Sequence, residues 1–439
     1  MSPPRFGPFL LLAVALAGTS CRRQTQSREQ VGPQQLPLIQ GLPDPFVGRK
    51  GRAVRTPADW PRRRQEIVAL LERYQYGHAP ARPGPRPGAL HELSRQSIGP
   101  ATRRLLRLGL GAQGIQLHLG LQVPRGEGPF PVIVHIDHRG VFHEPLAEET
   151  ARRGYAVASY DPTFLDPDGP GIVGSAQAAY PNQDWATLAV WAWGAMRVVD
   201  HLLTMKWVDP ARIVVTGHSR SGKAALWAGA LDQRFALVVP QGSGCAGAAS
   251  YRFRRGNVET LERITRSFPH WFSRELPRFA GHEQRLPFDQ HMVLALVAPR
   301  ALLSIDALGD VWANPYGTQI SHMGAREVYA FLGAADRIGI WFRPGEHRLS
   351  DDDWRTMLDY ADRVLRGAKT DRRSSHFARS ARTPGEAPRL ARFDRLPFKV
   401  EQRAFSWRAP WIGRSRRPGP AQDPGSTRSP ASSAARPRR

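Results

Sequence analysis

The chain has 439 residues, 41% of them hydrophobic, with 62 Lys and Arg against 38 Asp and Glu and a formal net charge of +24. That apolar share is ordinary for a globular protein with a sizeable core, and the length suits one large α/β domain with insertions. The two cysteines, Cys21 and Cys245, exclude a disulfide framework, all the more if Cys21 belongs to a targeting segment. The basic excess leans towards the C-terminus, where residues 414–439 hold seven Arg and one Asp. Such a tail either meets an anionic polymer or is simply solvated; no nucleic-acid motif accompanies it, so no nucleic-acid partner is expected.

The first 21 residues read as an export signal: Arg5 supplies the positive region and Pro8–Gly18 an apolar run too short to span a bilayer. Gly18-Thr19-Ser20 before Cys21 resembles the lipidation box of bacterial lipoproteins, with Gly18 where a leucine is usual. Plain cleavage near residues 17–20 is the alternative. The mature protein is therefore expected in the periplasm, at the outer membrane if Cys21 carries lipid, or outside the cell. Residues 22–42 read as a tether, 43–366 as the catalytic domain, and 367–439 as a loosely ordered Arg/Pro/Ser-rich region.

Apolar residues recur at helical spacing over Arg64–Tyr74, and Pro80–Pro87 breaks the pattern. Two strand-like runs follow, Leu105–Leu110 and Gln116–Val123. From Pro129 the chain alternates. Short apolar runs at 131–136, 155–160, 212–216, 236–240, 301–305 and 338–342 read as strands buried on both faces. Segments 185–205, 222–231, 291–297, 325–332 and 354–365 read as helices. The alternation predicts an α/β fold with a mostly parallel, doubly wound central sheet between helical layers. An aromatic, basic insertion at 243–284 is placed to cover the site as a lid.

Ser219, in Gly217-His218-Ser219-Arg220-Ser221-Gly222-Lys223, sits where the strand at 212–216 turns into the helix near 222. A strand-to-helix turn lifts a serine hydroxyl above the sheet edge, as in the nucleophile elbow of α/β-hydrolases. The spacing here is G-x-S-x-x-G rather than G-x-S-x-G. Nucleophilic catalysis also needs a base and an acid to orient it, in the chain order Ser, acid, His for this fold. Asp310 lies five residues past the strand ending at Ile305, and His347 lies five residues past the strand ending at Phe342. Asp306 is the rival acid. The backbone N–H of Arg220 is an oxyanion donor candidate, joined by the loop Asp137–Val141 or by the Arg220 guanidinium. Arg220 and Lys223 beside the nucleophile suit an anionic or hydroxyl-rich substrate. No metal-ligand spacing, phosphate loop or dinucleotide fingerprint is present, so no metal or cofactor is expected.

The motif 217–223 resembles the G-x-S-R-x-G-K signature of glucuronoyl esterases, carbohydrate esterase family 15. The stretches 239–249, 259–260, 267–272, 286–291 and 310–315 are similar to the family's later segments. The resemblance spans roughly 129–365. It implies an α/β-hydrolase sandwich that cleaves esters of 4-O-methyl-glucuronic acid, as in links between glucuronoxylan and lignin. It further implies Ser219 as nucleophile, His347 as base, and Arg220 as oxyanion contact through its side chain. Lys223 and Glu259 would bind glucuronate hydroxyls and Trp312 would pack on the sugar. Fungal members carry a catalytic Glu in the loop matching 241–243, where this chain has Gly242; Asp310 matches the acid position of bacterial members. An acetyl xylan or other acyl esterase and a non-catalytic exported surface protein stand as alternatives, and a monomer is expected.

Overall fold

The computed structural model describes residues 32–81, 88–110, 114–368 and 396–399. Among them nine strands form one sheet: β1 (Leu90–Ile98), β2 (Ala101–Leu110), β3 (Ile115–Pro124), β4 (Phe130–Ile136), β5 (Ala156–Tyr160), β6 (Val208–His218), β7 (Phe235–Gln241), β8 (Ala301–Ala307) and β9 (Ile338–Arg343). Their order is β1-β2-β3-β5-β4-β6-β7-β8-β9. The first three strands and the β3–β5 pair are antiparallel, and everything from β5 to β9 is parallel. Swapping β4 with β5 makes a topological switch point, and the loops at the carboxyl ends of the strands beside it are where such folds place ligands.

The helices are α1 (Trp60–Leu71), α2 (Ala147–Arg152), α3 (Ser175–Ala179), α4 (Thr187–Leu202), α5 (Arg220–Leu231), α6 (Leu261–Ser267), α7 (Gln290–Ala295), α8 (Pro315–Phe331) and α9 (Asp351–Arg366). Strand side chains alternate between faces, and the core divides accordingly. Val132, Val134, Ile213, Val215 and Val238 pack with residues of α1, α4, α5, α7 and α8. Ile133, Val157, Val214, Val239 and Ile305 pack with Trp354, Met357, Leu358 and Ala361 of α9. Both faces of the parallel strands are covered, which is why those strands read as unbroken apolar runs.

Differences from the sequence reading are local. β1 was not anticipated: its side chains are exposed along nearly its whole length, so no buried face marks it. Helix α8 begins at Pro315, ten residues before the apolar run at 325. Asn314 caps it, accepting from the Gly317 N–H at 3.0 Å, and proline occupies its first turn, a start that favours proline. The short helices α2, α3 and α6 carry too few turns to show a period.

Insertion 243–284 is not a loose lid. Tyr251, Leu261, Ile264, Trp271, Phe272, Leu276 and Phe279 all belong to the main core. Gln75, fully buried in a π-helical turn after α1, ties the insertion down. Its amide donates to the Ala246 carbonyl at 3.3 Å, its side-chain oxygen accepts from Tyr251 at 2.8 Å and Gln290 at 3.1 Å, and its carbonyl accepts from the Ser273 N–H at 2.9 Å.

The segment read as an export signal, Cys21 as the expected lipid attachment point, and most of the basic C-terminal region lie outside the described residues. Within that region, the four described residues 396–399 dock on α8: Phe398 exchanges two hydrogen bonds with the Gln319 side chain, at 2.7 and 3.0 Å, and packs edge-on against Tyr316 and Phe342. Among the described residues no helix is long and apolar enough to cross a membrane.

Candidate active site

Ser219 stands between β6 and α5 with φ +59° and ψ −123°, a strained backbone that a non-glycine residue holds only under tight packing. The packing is visible in the glycines. A Cβ on Gly217 would meet the Ser221 carbonyl oxygen at 2.5 Å, and one on Gly222 would meet the Gln241 and Gly217 carbonyl oxygens at 2.9 Å. The second glycine is therefore needed at 222, which accounts for the G-x-S-x-x-G spacing. Ser221 is buried instead, with its hydroxyl 3.2 Å from His138 Nδ1. The Ser219 N–H donates to the Gln241 carbonyl at 2.9 Å, fastening the turn to β7. The helix starts at Arg220, so the N–H groups of its first turn have no partner within the helix and carry the positive end of its dipole.

His347 Nε2 lies 2.9 Å from Ser219 Oγ, and His347 Nδ1 lies 2.5 Å from Asp310 Oδ2. Both loops are fixed. Asp310 Oδ1 accepts from the Ala313 N–H at 3.2 Å, so one carboxylate oxygen caps a helical turn while the other faces the imidazole. Arg343, at the end of β9, threads the His347 loop: it donates to Asp353 at 2.7 Å and to the carbonyls of Pro344, Glu346 and Arg348 at 3.0, 3.2 and 2.6 Å. The two loops are laced together by Leu308 N–H to the Arg343 carbonyl, 2.8 Å, and Gly309 N–H to the Gly345 carbonyl, 3.0 Å.

The rival acid Asp306 is at the end of β8 and fully buried, with Oδ2 unpartnered. Burial pushes its carboxyl up to about 6, and the neighbouring Asp310 adds to the rise. It does not bond His347. At Gly242 the backbone has φ +50°, and a Cβ there would lie 3.0 Å from His218 Nε2 and 3.5 Å from His347 Cε1. The position faces the imidazole, yet in this chain Asp310 occupies the Nδ1 side. His218 packs on His347 with ring centroids 4.6 Å apart, and burial followed by its histidine neighbour holds it down at about 3.

Lys223 is buried one turn into α5; its ammonium donates to the Ser243 carbonyl at 2.6 Å and lies 4.0 Å from a Glu259 carboxylate oxygen. Burial lowers its pKa, and Glu259 opposes the shift. The Glu259 N–H donates to the Trp312 carbonyl at 2.9 Å. The Trp312 ring is 48% exposed, with the Arg263 guanidinium 5.3 Å from its centroid. Lys223, Glu259 and Trp312 thus form one connected group close to Ser219 in the fold. Loop 137–141 approaches through His138, whose pKa is lowered by burial and by Arg220.

The Arg220 guanidinium bonds Asp168, a residue the sequence reading did not single out. Asp168 lies in Asp161-Pro162-Thr163-Phe164-Leu165-Asp166-Pro167-Asp168. The first of these aspartates caps a turn and the second accepts from the Gly174 N–H, and nothing local distinguishes the third. Among the described residues no group of three or more His, Cys, Asp or Glu side chains is gathered as a metal site.

This strand order, with a strained serine on the β6–α5 turn facing a histidine and an aspartate from the loops after β9 and β8, defines a serine hydrolase of the α/β-hydrolase fold. A family model described as fungal glucuronyl esterase matches residues 109–333. A carbohydrate esterase of an unknown prokaryotic organism is 32% identical over 390 residues, covering 74% of this chain and 90% of its own. A 4-O-methyl-glucuronoyl methylesterase of Neurospora crassa is 30% identical over 354 residues, covering 76% and 84%. Among solved structures, the family 15 glucuronoyl esterase of Caldicellulosiruptor kristjansonii superposes with a TM-score of 0.69 at 31% identity, over 84% of this chain and 97% of that one. A Sporotrichum thermophile glucuronoyl esterase carrying a serine-to-alanine change, in complex with methyl 4-O-methyl-β-D-glucopyranuronate, superposes with a TM-score of 0.62 at 26% identity, over 76% and 90%. The chain belongs to the glucuronoyl esterases, carbohydrate esterase family 15, and is a carboxylic ester hydrolase.

Proposed function

We propose that the protein hydrolyses esters of 4-O-methyl-glucuronic acid in plant cell-wall polymer through an acyl-enzyme on Ser219. His347 Nε2 takes the Ser219 proton as Oγ attacks the ester carbonyl, and Asp310 holds the imidazole in the required tautomer and stabilises its cation. The backbone N–H at the start of α5 and the Arg220 guanidinium receive the oxyanion. His347 then gives its proton to the departing alcohol. Water then attacks the acyl carbon as His347 takes its proton, and His347 returns that proton to Ser219 Oγ as the bond to the uronic acid breaks. Lys223 and Glu259 contact the sugar hydroxyls, and Trp312 offers an apolar face to the ring. The observation that carries this reading is the continuous line from Ser219 Oγ through His347 to Asp310. The names of the Neurospora and Sporotrichum relatives supply the uronate side.

The test is hydrolysis of benzyl and methyl glucuronate by wild type, Ser219→Ala and Asp310→Asn, with acetylated xylan alongside. Cleavage of the glucuronates in preference to the acetyl esters, lost in Ser219→Ala, is expected. Cleavage of acetyl esters alone would move the assignment to an acyl esterase on the same fold. We further infer that residues 43–366 are the catalytic domain and that the chain is exported, with Cys21 as a lipid attachment point; metabolic labelling with a radioactive fatty acid, in wild type and Cys21→Ser, checks the anchor.

A further inference from the structure

Arg220 is held by a cage assembled from two separate parts of the chain, Asp168 and the stretch Phe268–Trp271. One Asp168 oxygen accepts from the Arg220 guanidinium, and the other accepts from the Trp271 indole N–H at 2.7 Å and lies 3.0 Å from His270 Nε2. Phe268 and Trp271 stack on one another, with ring centroids 3.9 Å apart and planes 5° apart, and the Arg220 guanidinium carbon lies 5.4 and 5.0 Å from their centres. Burial alone would raise the Asp168 carboxyl, but the donors from His270, Trp271 and Arg220 outweigh it and hold the group well below the usual carboxylate range. The Arg220 Nε, by contrast, is buried with no hydrogen-bond partner. A buried guanidinium N–H is costly to leave unmet. The side chain as a whole is 29% exposed, so the guanidinium is fixed by a carboxylate while part of it stays open, on the residue that directly follows the nucleophile.

We propose that Asp168 is a positioning residue for this esterase: it clamps the Arg220 guanidinium so that the exposed part of the group meets the oxyanion of the reacting ester. The inference rests on the oxyanion role given to Arg220 above. An unclamped arginine would have to surrender side-chain freedom in each turnover, and a donor that is already placed needs no such reorganisation. His270 and Trp271 act one step further out, by fixing Asp168.

A double-mutant cycle tests this, using benzyl glucuronate with wild type, Asp168→Asn, Arg220→Ala and the double variant, each checked for its unfolding midpoint. Losing one oxyanion donor costs on the order of a hundredfold in kcat; Asp168→Asn is expected to cost about tenfold in kcat with KM within about twofold, the pattern of an interaction made in the transition state. In the Arg220→Ala background the same change is expected to cost nothing further, because residues that act through one another are not additive. An equal kcat loss in both backgrounds overturns the proposal, and so does wild-type kcat in Asp168→Asn while Arg220→Ala is impaired; either result leaves the Arg220 reading standing. Full kcat in Arg220→Ala overturns both. Should Asp168→Asn fail to fold, Trp271→Phe replaces it in the cycle, since it removes one donor to Asp168 and keeps the aromatic ring. The expected pattern is then a smaller kcat loss that likewise vanishes without Arg220.

Discussion

Asp310 Oδ2 lies 2.5 Å from His347 Nδ1, whereas Asp306, four residues earlier, is buried with an unbonded oxygen. The two carboxyls are thus separated by role despite their closeness in sequence. Asp310→Asn is expected to lower kcat by roughly 10³–10⁴-fold by presenting the wrong partner to Nδ1. Asp306→Asn is expected to stay within about threefold of wild type, since it bonds neither ring nitrogen. Steady-state rates on benzyl glucuronate separate the two.

Asp306 also makes stability depend on pH. Its carboxyl is raised from 3.8 to about 6 in the folded protein, so the native state holds this proton where the unfolded chain has lost it. The sign is that of a raised acid: the contribution is complete below about pH 4 and disappears as pH climbs through about 6. Asp306→Asn removes the titration. The stability of the variant relative to wild type is expected to grow between pH 4 and pH 7.5, by at most roughly 3 kcal/mol. Urea unfolding at the two pH values measures it; a difference that does not change with pH would refute the ionisation of Asp306.

The strained turn at Ser219 gives a trade-off between stability and activity. Ser219→Ala keeps the Cβ and should unfold at the wild-type midpoint with hydrolysis abolished. Ser219→Gly relieves the positive φ and is expected to gain about 1 kcal/mol while equally inactive. Thermal unfolding of the two variants side by side is the measurement.

Lys223 and Trp312 should fail differently. Trp312→Ala removes a half-exposed ring and is expected to raise KM about tenfold, with kcat and the unfolding midpoint little changed. Lys223→Met strips the Ser243 carbonyl and Glu259 of their buried cation, and is expected to cost roughly 2–4 kcal/mol of stability as well as activity. Kinetics and denaturant titration together distinguish a sugar platform from a structural ion.

What could be read from the sequence follows from where information is local. A parallel strand buried on both faces is an apolar run, so β4 to β9 were legible, and a residue a fixed distance past each strand end falls in the loop above it. That placed Ser219, Asp310 and His347 before any coordinates. β1 has no buried face and left no trace. The role of Asp168 was also hidden, because it is decided by His270 and Trp271, which come from about a hundred residues further along, and by the Arg220 side chain. The family motif marked Arg220 and Lys223 as important but did not show that one is caged by an anion and the other buried against a carbonyl.

The Gln75 network has a consequence for access. It bolts the aromatic insertion to α1 and the core, so the wall beside Arg220 behaves as masonry and not as a door. In enzymes whose site is covered by a hinged lid, opening of that lid rather than the chemistry often limits kcat. With this wall fixed, the rate at a fibre surface should be set by how densely ester bonds are presented there and not by movement of the insertion.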